Sequence, residues 1–245
     1  MKAPRPDFSE LATAAGVTSA APMLAPPSAS AVPAPRPLLK VCGMRDPAAL
    51  AAVAALKPDL LGFIFAAASP RFVGETLDAA LVRGLPPEIW RVGVFVNETT
   101  PVILETARHY GLGAVQLHGA ETPAQCEELN EAGLLVIKAF SVGWQGLNFT
   151  KLLPYVPHCD YFLFDTKGAA PGGNGAVFDW QLLGDYNLPV PYLLAGGLGP
   201  QHAAELAALR LPGLAGFDLN SGFETAPGVK DAESLQLMFS KLRTS

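Results

Sequence analysis

The feature that most limits how this chain can fold is a repeat. Eight times after residue 37, a short apolar run, often β-branched, is closed by a glycine or polar turn, and most of these turns lead into an amphipathic helical stretch. The runs fall at 38–42, 59–65, 91–96, 114–118, 134–140, 161–165, 191–195 and 216–219. Strands alternating with helices imply a parallel sheet. Eight such units imply an α/β domain closed into a (β/α)8, or TIM, barrel. An open doubly wound sheet is the rival, but it wants a GxGxxG turn after the first strand, and Cys42-Gly43-Met44-Arg45 does not supply one.

Helical periodicity is clearest at 46–56, 99–110, 122–132 and 231–243. These stretches open with Asp46-Pro47, Thr99-Thr100-Pro101, Thr122-Pro123 and Asp231, the cap residues and first-turn prolines that start helices. Pro154 and Pro157 break the fifth connection, so a helix there is short. The connection Thr166 to Val177 has no regular pattern. A loop that long in a compact domain is usually functional or disordered, and its place after strand six suits a flexible lid on the catalytic face.

Composition excludes several functions. Half of the 245 residues are apolar, enough for one large core, and the net charge of −5 without any basic run argues against a nucleic-acid surface. No apolar run approaches the roughly 18 residues of a membrane span. Cys42, Cys126 and Cys159 are odd in number and scattered, with no zinc or disulfide spacing, which suits a reducing cytoplasm. Residues 1–37, mostly Ala, Pro and Ser, carry too few aliphatic anchors to offset their ordering entropy. They read as a disordered extension with a short helix near 8–15, separate from a barrel domain over 38–245, and lack the apolar core of a secretory signal.

The catalytic face of such a barrel lies at the C-terminal ends of its strands. Cys42 ends the first strand and Asp165 the sixth, so the two face each other across the mouth, a thiolate base opposite a carboxylic acid. The apolar run before Asp165 suggests a partly dry carboxyl with a raised pKa. A buried structural cysteine and a loop-capping aspartate are the competing readings. Lys40 should point the same way as Cys42 by alternation. Arg71, after strand two, can grip a carboxylate bidentately or lie solvated on the surface. Asp218 on strand eight can hold sugar hydroxyls, polarise the site, or accept from backbone N–H groups. His118 after strand four is an acid–base candidate, although a pocket-shaping role suits it better. Gly172, Gly173 and Gly175, then Gly196 and Gly197, then Ser221 and Gly222 put glycine-bearing turns after strands six, seven and eight, where barrels bind phosphate.

With these residues assembled, the chain resembles the phosphoribosylanthranilate isomerases of tryptophan biosynthesis over about 38–243. The ordered series is Lys40-Val-Cys-Gly-Met, Gly62-Phe-Ile-Phe with Ser69-Pro-Arg, Val92-Gly-Val-Phe-Val and Gln116-Leu-His-Gly-Ala-Glu. It continues with Phe164-Asp-Thr, Gly172-Gly-Asn-Gly, Phe178-Asp-Trp, Leu194-Ala-Gly-Gly-Leu, Asp218 and Ser221-Gly-Phe-Glu with Pro227-Gly-Val-Lys-Asp. The resemblance implies a barrel enzyme without metal or organic cofactor, acting on a small-molecule phosphosugar as a monomer or homodimer, with no nucleic-acid or membrane partner. It implies an Amadori rearrangement with Cys42 as general base, Asp165 as general acid, Arg71 on the anthranilate carboxylate and the glycine turns on the phosphate. Asn220 stands where the family often has serine, and Asn174 where threonine is common. A histidine-pathway isomerase would pair two aspartates, with one in place of Cys42. A metal-dependent epimerase would need more His and Asp ligands at the strand ends. A non-catalytic anion-binding barrel would turn Cys42 and Asp165 away from a shared pocket.

Overall fold

The structure is a computed structural model that describes residues 36–74, 77–143, 146–166 and 178–244. Eight parallel strands close on themselves: β1 (Leu38–Val41), β2 (Leu60–Ile64), β3 (Trp90–Phe95), β4 (Ala114–Leu117), β5 (Leu135–Val142), β6 (Tyr161–Thr166), β7 (Tyr192–Leu194) and β8 (Leu214–Leu219). Each lies within about two residues of its expected run, because β-branched and aromatic residues bounded by turn formers mark a strand buried on both faces. The expected disorder of 1–37, the helix near 8–15 and the lid over 167–177 fall on residues outside those described, Arg36 and Pro37 excepted. Arg36, counted with the extension in the sequence reading, grips Asp59 through both terminal nitrogens at 2.9 and 2.8 Å.

Alternation along each strand divides the apolar residues between two cores. Leu38, Leu60, Val92, Ala114, Ile137, Leu163 and Leu193 fill the barrel interior. Leu39, Val41, Leu61, Phe63, Val115, Phe162 and Phe217 face outward into the layer covered by helices. That layer holds α1 (Pro47–Ala55), α2 (Ala79–Arg83), α3 (Thr100–Tyr110), α4 (Pro123–Glu131), α5 (Ala203–Ala208) and α6 (Ala232–Arg243). Asp46, Thr122 and Asp231 cap α1, α4 and α6 by accepting from the N–H of Ala49, of Gln125, and of Glu233 and Ser234. Thr99 stands at the start of α3 without a capping bond, and its hydroxyl meets Glu98 instead. The fifth connection is a short 3-10 helix, Phe149–Tyr155, with Pro154 inside it, as the prolines require.

One element was not anticipated. After β8 the chain makes a 3-10 turn, Ser221–Phe223, and then a small hairpin of β9 (Glu224–Ala226) and β10 (Val229–Lys230). Pro227 and Gly228 form its turn, with Gly228 at φ +82, a conformation open to glycine. This hairpin brings two charged residues back towards the mouth of the barrel.

Candidate active site

Strand β1 sends Leu38, Lys40 and Cys42 inward in successive layers. Lys40 pairs in register with Asp218 of β8, and because neighbours in register share a face, their side chains meet: Nζ lies 2.9 Å from Oδ2. Both are buried. Burial alone would lower the Lys40 ammonium, but the Asp218 carboxylate and the Cys42 thiol outweigh it and hold it above its ordinary value. Burial pulls the Asp218 carboxyl upward, against the ammonium beside it. Its second oxygen, Oδ1, is buried without a hydrogen-bond partner among the described residues.

Cys42 sits one layer above, 2 % exposed, beside Ile64, Val94 and Ala66. Burial pushes its thiol above the ordinary value, Asp218 adds to that, and the ammonium groups of Lys40 and Lys230 oppose it. Across the mouth, Asp165 ends β6 with its side chain 30 % exposed, and its Oδ2 lies 3.2 Å from Nε2 of His118. The carboxyl is therefore wetter than the apolar run before it suggested. Gln116 Nε2 lies 2.8 Å from His118 Nδ1. With that amide donating, the ring carries its hydrogen on Nε2 and presents it to Asp165. His118 thus contacts the candidate acid and holds it in place. Asp218 links the two sides, within electrostatic reach of Cys42, Asp165 and His118.

The glycine turns lie on the same rim. Gly196 and Gly197 follow β7 with φ of +85 and +67. A Cβ on Gly196 would come 2.6 Å from Asp165 Oδ1, so this turn packs directly on the carboxyl. Gly222, in the turn after β8, abuts the backbone of Leu198 and Gly199, which joins the two turns into one surface. Gly172, Gly173 and Gly175 lie outside the described residues.

Arg71 is neither solvated nor unpartnered. Its Nε donates to both carboxylate oxygens of Glu224 at 2.9 and 3.0 Å, and its Nη2 to Oε2 at 2.7 Å. Lys230 reaches the same carboxylate at 2.5 Å and also donates to the Asn220 side chain at 2.8 Å. Asn220 therefore spends its side chain on Lys230. Burial would raise the Glu224 carboxyl, but Arg71 and Lys230 outweigh that and hold it below the usual carboxylate range. Gly43, at φ +77, lies against this cluster, and a Cβ there would come 2.8 Å from both Arg71 Cδ and Asn220 Oδ1. The residue reading missed Glu224 and Lys230. The signal that bore on them was the Pro227-Gly228 turn, which folds one back beside the other.

Away from the mouth, Cys126 and Cys159 meet despite their distance in sequence. Cys159 beside it lowers the Cys126 thiol, while Cys126 and burial raise the Cys159 thiol. Among the described residues no helix is long and apolar enough to cross a membrane, and no group of three or more His, Cys, Asp or Glu could hold a metal ion.

The comparisons agree with this fold. The family model described as N-(5'phosphoribosyl)anthranilate (PRA) isomerase matches residues 39–241. An N-(5'-phosphoribosyl)anthranilate isomerase of Phocaeicola vulgatus is 43% identical over 206 residues, 84% of this chain and 98% of that protein. The crystal structure of phosphoribosyl anthranilate isomerase from Thermotoga maritima superposes with a TM-score of 0.74 at 33% identity, covering 84% of this chain and 98% of that one. A further isomerase structure, solved in complex with reduced 1-(o-carboxyphenylamino)-1-deoxyribulose 5-phosphate, superposes with a TM-score of 0.69 at 30% identity, again over 84% and 98%. The family model over residues 39–241, the relative at 43% identity and the superposed barrel place this chain in the N-(5'-phosphoribosyl)anthranilate isomerase family.

Proposed function

We propose that this barrel isomerises N-(5-phosphoribosyl)anthranilate to 1-(2-carboxyphenylamino)-1-deoxyribulose 5-phosphate with Cys42 as general base and Asp165 as general acid. The observation that supports one shared site is the placement of both groups around one buried carboxylate, Asp218. Asp165 gives a proton to the ribose ring oxygen. The ring carbon–oxygen bond breaks as the anilino nitrogen lone pair forms a protonated Schiff base at C1. Cys42, as thiolate, removes the proton from C2, and the electron pair of that bond forms the C1–C2 double bond of an enolamine. Reprotonation at C1 and loss of the enol proton give the ketone.

Positioning follows from the neighbours. His118 fixes the Asp165 carboxyl through Oδ2, which leaves Oδ1 to carry the acid proton. The unpartnered Oδ1 of Asp218 is an acceptor for a ribose hydroxyl. Glu224 takes the Nε–Nη2 edge of Arg71, so the guanidinium meets the anthranilate carboxylate through its Nη1–Nη2 edge. The left-handed turn at Gly196 and Gly197 and the abutting turn at Ser221 and Gly222 offer backbone N–H groups to the phosphate. The same reading has the barrel of 38–245 working in the cytoplasm, as a monomer or homodimer, without metal or organic cofactor.

The test follows the fluorescence of the anthranilate group when substrate meets the purified protein. Wild type should consume it rapidly, and Cys42→Ala and Asp165→Asn should each lose about 10²–10⁴-fold in kcat. A wild-type rate in either variant overturns the role given to that residue.

A further inference from the structure

Lys40 has no place in the proton transfers themselves, yet it is a fully buried charge at the centre of the barrel. Such a charge is costly unless paired, and its pairing to Asp218 at 2.9 Å answers that cost without explaining why the pair is there. The neighbouring strand supplies the explanation. Gly62 of β2 faces inward between the two side chains. A Cβ at this position would lie 2.7 Å from the Cys42 Sγ and 3.2 Å from the Lys40 Nζ. Sulfur and ammonium thus share the space a side chain on β2 would fill, and the ammonium lies within electrostatic reach of the sulfur.

The other groups around the sulfur complete the balance. Asp218 of β8 carries the opposing charge, and Lys230 of β10 adds a second ammonium, itself bound to Glu224 and near Arg71. Ile64, Ala66 and Val94, from the β2 and β3 side, are apolar. In this dry setting a thiolate needs a cation close by. Lys40 is placed to act as one, because Asp218 holds its ammonium beside the sulfur over Gly62.

We propose that Lys40 is a positioning residue that acts through Cys42: its ammonium, anchored by Asp218 and reaching the sulfur over the bare face of Gly62, stabilises the thiolate that removes the substrate proton. This deepens the reading of Cys42 as the base and rests on it for its catalytic meaning. The electrostatic part stands by itself and can be measured without turnover.

The experiment follows the Cys42 titration by the ¹³Cβ shift of cysteine-labelled protein, assigned with Cys42→Ser. Replacing Lys40 alone would strand a buried carboxylate, so the main variant is Lys40→Met with Asp218→Asn. Its Cys42 titration should still move up, since the Lys40 cation lowers the thiol more than the Asp218 carboxylate raises it. An unmoved or downward titration shows that Lys40 serves Asp218 alone and overturns the inference. Gly62→Ala keeps both charges and gives a second reading should the double variant not fold. Its methyl group parts Nζ from Sγ and should also raise the titration and lower kcat with KM little changed. An unchanged titration in folded Gly62→Ala overturns the inference as well. If the titrations move as stated while Cys42→Ala turns over at the wild-type rate, the electrostatic role stands and the assignment of the base falls.

Discussion

Glu224 is the hub on which the buried Lys230 ammonium and the half-buried Arg71 guanidinium depend, and removing it should cost more than any other single change at the rim. Its side chain is 4 % exposed, that of Arg71 16 % and that of Lys230 0 %. In Glu224→Ala the guanidinium keeps some access to water, but the Lys230 ammonium is left with the Asn220 oxygens alone. Breaking a buried pair by deleting one partner costs about 3–5 kcal/mol, because the other charge stays desolvated. For a domain of this size each kcal/mol shifts the melting temperature by about 2–4 °C, so Tm should fall by about 6–20 °C. Urea unfolding followed by circular dichroism gives the free energy directly. The pair Glu224→Gln with Lys230→Met supplies the control. With both charges of the inner pair gone it should regain most of the loss, with a coupling energy of about 0.5–3 kcal/mol. A Glu224→Ala protein within about 1 kcal/mol of wild type would show that Lys230 finds water or another anion, and would refute the reasoning.

The other expectations are simpler to check. Because burial holds the Cys42 thiol above its ordinary value of 9.0, kcat/KM should climb with pH into the alkaline range as thiolate forms; a profile flat from neutral pH upward would contradict this. Arg71→Ala should mainly raise KM, since it removes a grip on the ground-state carboxylate, and an unchanged KM would sink that assignment. The Glu121 carboxyl would be raised by burial, but the backbone N–H of Asn97 and the Lys138 ammonium hold it below its ordinary 4.5. Its contribution to stability is therefore complete above that value and is lost as pH falls through the lower folded pKa. Urea midpoints measured from about pH 5 to about pH 2 should show a shallower acid loss in Glu121→Gln than in wild type.

What the sequence made legible, and what it hid, follows from how far each relation reaches along the chain. The eight strands were readable because each is a local pattern of β-branched residues bounded by glycine or polar turns. Cys42 and Asp165 were readable because both stand at strand ends, and strand ends in a closed parallel barrel share one rim. The partners of charged side chains were not, because they depend on closure. Lys40 meets Asp218 only because β1 and β8 seal the barrel across 178 residues of sequence. Arg71 meets Glu224 only because a hairpin after β8 folds back beneath Gly43. Cys126 and Cys159 looked scattered for the same reason, one on a helix and the other on the loop before β6.

The central claim is that Cys42 takes the proton from C2 while Asp165 opens the ring, and isotope-resolved single turnovers test it most directly. Substrate carrying deuterium at ribose C2 would be compared with ordinary substrate in Cys42→Ser and Asp165→Asn. Cys42→Ser should be slowed at least about a hundredfold, with proton removal limiting its rate, so that deuterium slows it further. Asp165→Asn should be slowed comparably but respond little to deuterium, because its defect lies in the earlier step. Deuterium sensitivity in Asp165→Asn, with none in Cys42→Ser, would contradict the account and exchange the two roles.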